Sequence, residues 1–151
     1  MRVLILGGTK YVGQGLAATM RLNRSFSQVY TLSNKKKNSI DHFFLDRNDL
    51  KKLAKIFLNF RPEIVIDFIN YDKKDSKTII ELLELGVLKT LKHYLVISTF
   101  FVYNYFSLSN YREEKLKPND RIEQIKDLYT RNKIEMEIAL YNSKLYHITN
   151  C

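Results

Sequence analysis

The segment Arg2–Leu6 is a short apolar run stopped by Gly7 and Gly8, and a helical stretch follows from about Val12 to Asn23. A run this short, apolar at successive rather than alternate positions, predicts a strand buried on both faces. The turn that follows it reads Gly7, Gly8, Thr9, Lys10, Tyr11, Val12, Gly13. Backbone can approach a pyrophosphate only where side chains are missing, and the phosphate charge then sits at the helix N-terminus. Strand, glycine turn and helix in that order predict a phosphate-binding loop.

The alternation continues. Val29–Leu32 predicts a second strand, closed by the polar run Ser33–Ser39, and His42–Leu45 a third. Asn48–Phe60 repeats apolar residues at Leu50, Leu53, Ile56, Phe57 and Phe60, a helical spacing. Arg61 and Pro62 break that helix and lead into a strand over Ile64–Ile69. Lys73–Leu88 predicts an amphipathic helix with Gly86 near its stop, and Tyr94–Ile97 a fifth strand. Asn104–Asp120 is polar and irregular. Arg121–Asn142 predicts one long helix, and Leu145–Thr149 the opening of a sixth strand. In the first helix Leu16, Met20 and Leu22 are the expected inner face. Strands alternating with crossover helices predict an α/β fold, a doubly wound parallel sheet, with residues 1–151 as one domain. Only the connection between strands two and three is too short and polar for a full helix.

Composition narrows the function classes. The net charge of +9 comes from 25 Lys and Arg against 16 Asp and Glu, but the cations are spread along the chain. The one dense run is Lys35-Lys36-Lys37, so a solvated surface is favoured over a nucleic-acid footprint. The single cysteine, Cys151, permits no internal disulfide, which fits a reducing cytoplasm. With no signal peptide visible and no apolar run long enough for a bilayer, a soluble, cytoplasmic protein is expected. His42, His93 and His147 lack metal-ligand spacing, so no metal site is expected.

Two further patterns carry chemistry. Dinucleotide folds usually place an acid about 20 residues past the glycine loop to hold a ribose 2′-hydroxyl. Here that stretch reads Ser33, Asn34, Lys35, with no carboxylate before Asp41. A cation in place of an acid favours a 2′-phosphate, hence NADP over NAD, the plainer alternative being that the lysine run merely solvates a loop. Tyr129 and Lys133 lie four apart on the last predicted helix, which puts both on one face. An ammonium beside a phenol favours the phenolate and brings its proton toward working pH, as general acid/base work requires.

Taken together these residues resemble the extended short-chain dehydrogenases/reductases, the NAD-dependent epimerase/dehydratase family. The loop is similar to that family's GGTGFIG, with Lys10 in place of the central glycine, as in a GGTRFIG subgroup that includes proteins described as RNA-binding. By that resemblance Gly7, Gly8, Thr9, Lys10, Tyr11, Val12 and Gly13 hold the cofactor, with Asn34 and Lys35 at its ribose and Asp46 at the adenine. Lys10 either contacts a phosphate or crowds the cofactor. Asp49 can cap the next helix. Ser98, Thr99, Val102 and Tyr103 resemble the family's Ser-Ser-x-x-Val-Tyr segment. The resemblance then implies Thr99, Tyr129 and Lys133 as catalytic residues, with Ser98, Tyr129 and Lys133 also at the cofactor. Phe68-Ile69-Asn70-Tyr71 departs from the family's small-residue turn after strand four.

The implied activity is hydride transfer on a nucleotide sugar or similar hydroxyl or carbonyl substrate. The resemblance covers the Rossmann portion of such an enzyme and stops before the part that would bind substrate, which leaves self-association or a complementing chain as an expectation. Two alternatives stand beside it, a dinucleotide-binding module or gene remnant without turnover, and an RNA-binding protein on the same fold.

Overall fold

A computed structural model describes residues 1–99, 101–102 and 122–145. Strand β1 (Arg2–Leu6) is almost wholly buried and alternates its side chains between two layers. Leu4 and Leu6 enter one apolar cluster, and Val3 and Ile5 another on the opposite face. Helix α1 (Tyr11–Leu22) covers the second face and returns the chain to β2 (Gln28–Ser33). Then follow β3 (His42–Phe44), α2 (Leu50–Phe60), β4 (Ile64–Asp67), α3 (Lys73–Glu84), β5 (His93–Val96), a 3₁₀ turn (Ile122–Gln124) and α4 (Leu128–Tyr141). The five strands run parallel in the order β3-β2-β1-β4-β5. α2, α3 and α4 pack on the Leu4/Leu6 face through Leu53, Phe57, Ile79, Leu82, Met136 and Leu140. This is the expected doubly wound α/β architecture, with the order of strand addition reversing between β1 and β4. The C-terminal edge at that reversal is where such sheets bind ligands.

Local chemistry sets the element ends. Asp49 accepts the Lys52 amide at 3.2 Å and caps α2, and Asp72 does the same for α3 through Asp75 at 3.0 Å. α2 stops at Arg61, which turns left-handed (φ 54°) just before Pro62. α3 stops earlier than the expected Leu88. Gly86 takes φ 69°, its amide bonds the Leu83 carbonyl and the Val87 amide bonds Leu82, so the chain leaves the helix in a paired C-terminal turn.

Two further expectations need correction. The single helix over Arg121–Asn142 is instead a 3₁₀ turn and α4, separated where Asp127 accepts the Thr130 amide at 2.8 Å and opens a new helix. Leu22, expected inward, is 87% exposed, because the inner stripe runs through Gly13, Ala17 and Met20. Leu85 and Leu128, at the ends of α3 and α4, also face outward. The polar connection after β2 holds no helix. Asn104–Asp120, Tyr103, His147, Cys151 and all of the expected sixth strand after Leu145 lie outside the described residues. Among the described residues, no helix is long and apolar enough to cross a membrane, and no His, Cys, Asp and Glu cluster could hold a metal ion.

Candidate functional site

The glycine turn is built to bring backbone close. Gly7 sits at φ 83°, and a Cβ there would stand 2.6 Å from the Ile69 Cγ2. A Cβ on Gly8 would meet the Thr31 Cγ2 at 2.6 Å, and one on Gly13 would meet the Gly7 carbonyl oxygen at 2.9 Å. Strand, turn and helix therefore interlock at three positions where only glycine fits. The helix that follows begins at Lys10 with no side-chain cap and no acid in its first turn. Its free amides and the positive end of its dipole are left for an anion. Tyr11 enters at φ 42°, unusual for a side chain of its size, and with Val12 is exposed.

This turn opens on a cavity of about 650 Å3. Its wall includes Gly7, Thr9, Lys10, Tyr11, Val12 and Gly13 from the turn, Ser33, Asn34 and Lys35 from the end of β2 and beyond, and Asp46, Arg47 and Asn48 from the stretch after β3. The cavity thus collects all but one of the residues expected at the loop, the ribose and the adenine; Gly8 lies behind, packed on β2. Within this cavity Lys10 faces Lys35, whose ammonium is lowered from its ordinary value by hydrogen bonding and by repulsion from the Lys10 charge. Two cations share one mouth. In the turn after β3 Asp46 accepts the Asn48 amide at 2.9 Å and stays exposed.

Behind the cavity lies a buried polar network that the sequence reading did not single out. The Arg47 Nη1 bonds both oxygens of Asp67, at 2.9 and 2.7 Å, and its Nη2 bonds the Asp75 carbonyl at 2.9 Å. The Arg47 Nε is 3.5 Å from the Asp75 Oδ1 and makes no hydrogen bond. Tyr94 donates to Asp67 at 2.7 Å, and Asn70 donates to the Tyr94 hydroxyl at 3.1 Å. Burial, and then the Asp67 charge, push the Tyr94 phenol well above its ordinary range. An Arg between two Asp, followed about 20 residues later by an Asp inside an otherwise apolar strand, was the one signal available.

The residues expected to be catalytic sit beside the cavity, not in its wall. Lys133 is buried and donates to the Asn70 carbonyl at 2.6 Å and the Ile97 carbonyl at 2.9 Å. It also stands 5.3 Å from the centre of the Tyr71 ring, which does line the cavity. Burial lowers the Lys133 ammonium, with Asp67 and Glu137 opposing. Tyr129, one helical turn earlier, is 48% exposed. Among the described residues no hydrogen bond joins its hydroxyl to Lys133. Thr99 is half-buried, and its Oγ1 accepts the Phe101 amide at 3.5 Å. Ser98 donates to Glu137, which stands one turn past Lys133 on α4 and whose carboxyl is raised by burial.

Searches by sequence find no matching family model and no matching curated protein. Solved structures do match. The dTDP-glucose 4,6-dehydratase of Bacillus anthracis, in complex with NAD, aligns over 98% of this chain and 52% of its own, at 15% identity and a TM-score of 0.70. The enzyme WbmG of Bordetella bronchiseptica, also with NAD, aligns over 96% and 50%, at 16% and 0.66. A wide-type short-chain dehydrogenase/reductase of Veillonella parvula, with NADP, aligns over 95% and 65%, at 14% and 0.66. The chain shares their fold. It spans about half the length of the first two.

Proposed function

We propose that this chain is the NAD(P)-binding portion of an extended short-chain dehydrogenase/reductase, an epimerase, dehydratase or reductase acting on a nucleotide sugar or similar hydroxyl or carbonyl substrate. The observation that carries the reading is the three-glycine cradle, whose uncapped helix opens onto the cavity that Lys35 and Asp46 line. Those residues fit a dinucleotide. Side-chain-free backbone and helix amides receive the pyrophosphate, Asp46 accepts from the adenine amine, and Asn34 meets the ribose. Lys35, standing where an acid would select NAD, favours NADP. Lys10 in place of the central glycine supports the GGTRFIG-like subgroup, and its position beside Lys35 favours a phosphate contact over crowding.

When bound, a nicotinamide dinucleotide supplies the hydride acceptor or donor. The chain's own residues handle the proton. Tyr129 takes the substrate hydroxyl proton at its phenolic oxygen, or returns it, and Thr99 hydrogen-bonds the same substrate oxygen. Lys133, with two of its three donors on carbonyls, keeps one for the cofactor ribose. A cytoplasmic location, and self-association or a complementing chain that supplies substrate contacts, belong to the same reading.

A binding module without turnover is the second reading, favoured by the exposed Tyr129 and by a Lys133 committed to two carbonyls. Titration with NADPH and NADH, followed by cofactor fluorescence, tests both. Saturable binding with NADPH the tighter ligand, and loss of that preference in Lys35→Ala, is the expected result. A folded sample that binds neither cofactor at millimolar concentration overturns both readings and leaves a gene remnant or an RNA binder on this fold.

A further inference from the structure

The polar connection between β2 and β3 carries Lys35 yet has no helix to hold it in place. What holds it is an imidazole. The His42 Nε2 lies 2.9 Å from the Lys35 carbonyl oxygen, and its Nδ1 lies 2.9 Å from the Thr31 Oγ1. A carbonyl can only accept, so Nε2 carries the proton, and in the neutral ring Nδ1 accepts from the Thr31 hydroxyl. The same carbonyl also accepts from the Ser33 hydroxyl at 3.2 Å, and the Ser33 Oγ accepts the Lys35 amide at 3.2 Å. Thr31 and His42 are partners in the β2–β3 register, which fixes the ring's origin.

Thr31 faces two ways. Its Oγ1 meets His42, and its Cγ2 fills the space where a Cβ on Gly8 would stand. A continuous path therefore runs from the phosphate loop at Gly8 through Thr31 and His42 to the backbone of Lys35. We infer that His42 is a positioning residue for cofactor choice, holding Lys35 at a set distance from the phosphate loop so that its ammonium meets a 2′-phosphate. His42 does not itself line the cavity. The inference rests on the dinucleotide reading above and adds to it the residue on which discrimination between the two cofactors depends.

The test compares NADPH and NADH affinities of the wild-type chain, Lys35→Ala, His42→Leu, His42→Gln and Thr31→Val. In His42→Leu, NADPH binding weakens by about tenfold while NADH binding holds, so NADH also reports that the fold is intact. His42→Gln, whose amide N–H can reach the same carbonyl, retains most of the preference. Thr31→Val shifts in the same direction as His42→Leu, and less. If Lys35→Ala abolishes the preference and His42→Leu keeps it, the positioning role is wrong and the dinucleotide reading survives. Parallel loss of both cofactors in His42→Leu likewise overturns the role, because it marks damage to the site as a whole. A wild-type chain without a preference for NADPH removes the inference together with its 2′-phosphate premise, and one that binds neither cofactor removes the dinucleotide reading too.

Discussion

The Arg47 Nη1 bridges both carboxylate oxygens of Asp67, and the pair is buried, with 5% and 0% of the side chains exposed. Two charges taken out of water hold each other at the reversal point of the sheet. Removing Asp67 leaves the buried Arg47 with only its Asp75 contacts. Asp67→Ala is expected to destabilise the chain by about 3–5 kcal/mol, a large share of a typical domain's stability. Urea denaturation measures it, and a loss under about 1 kcal/mol would mean the pair is better hydrated than its burial implies.

Two glycines in one helix should respond oppositely. At Gly15 an added Cβ meets nothing within 4 Å, so Gly15→Ala is expected to stabilise α1 by about 0.5–1 kcal/mol. At Gly13 the Cβ meets the Gly7 carbonyl oxygen at 2.9 Å and the Gly8 Cα at 3.0 Å, both backbone, and neither can rotate away. Gly13→Ala should lower the melting temperature and abolish cofactor binding. Similar thermal behaviour of the two variants would contradict the interlocked turn.

Tyr129 and Lys133 share a helix face and differ in what they hold. Lys133→Met removes a buried ammonium that ties the Asn70 and Ile97 carbonyls, and is expected to cost about 1–3 kcal/mol. Tyr129→Phe should leave stability within about 0.5 kcal/mol of wild type. Thermal melts of the two variants check the contrast. Equal destabilisation would show that the phenol has a packing role instead of a chemical one.

Acid should weaken the β1–β5 end of the sheet through Glu63. Its carboxylate accepts from Lys92 at 2.7 Å and from the Arg2 amide at 3.0 Å, and these hydrogen bonds hold it down at about 2, from an ordinary 4.5. A depressed folded-state value contributes stability above pH 4.5 that is lost as pH falls toward 2. Glu63→Gln should therefore be less stable than wild type at neutral pH, and the two should converge across that window. Denaturation midpoints at several pH values will decide it, and parallel curves would rule the linkage out.

Much of this molecule can be read from its residues. Apolar runs such as Arg2–Leu6 and Ile64–Asp67 and the stripe Leu53, Phe57 lead to the parallel sheet, because burial imposes a period that survives tertiary packing. The glycine turn was legible for a local reason: three glycines lie at the passage from a strand to a helix within a short stretch. The break at Asp127 was not, since the apolar positions on both sides, Ile125 and Ile134, feed one cluster and hide the interruption between them. Nor was the Arg47–Asp67–Tyr94 network, whose members sit on two strands and a turn and whose cohesion depends on sheet order. The His42 contact belongs to the same class, since the Thr31–His42 register appears only when β2 and β3 pair.

Asp67 also constrains how this chain can change over time. It receives Arg47, Tyr94 and the Ile69 amide at once. An all-apolar replacement of such a network can be neutral or even favourable, yet each single step toward it leaves a buried charge or hydroxyl short of a partner. Positions 47, 67 and 94 are therefore bound to drift as a set or stay put, and a lineage that keeps this sheet should keep or lose the three together.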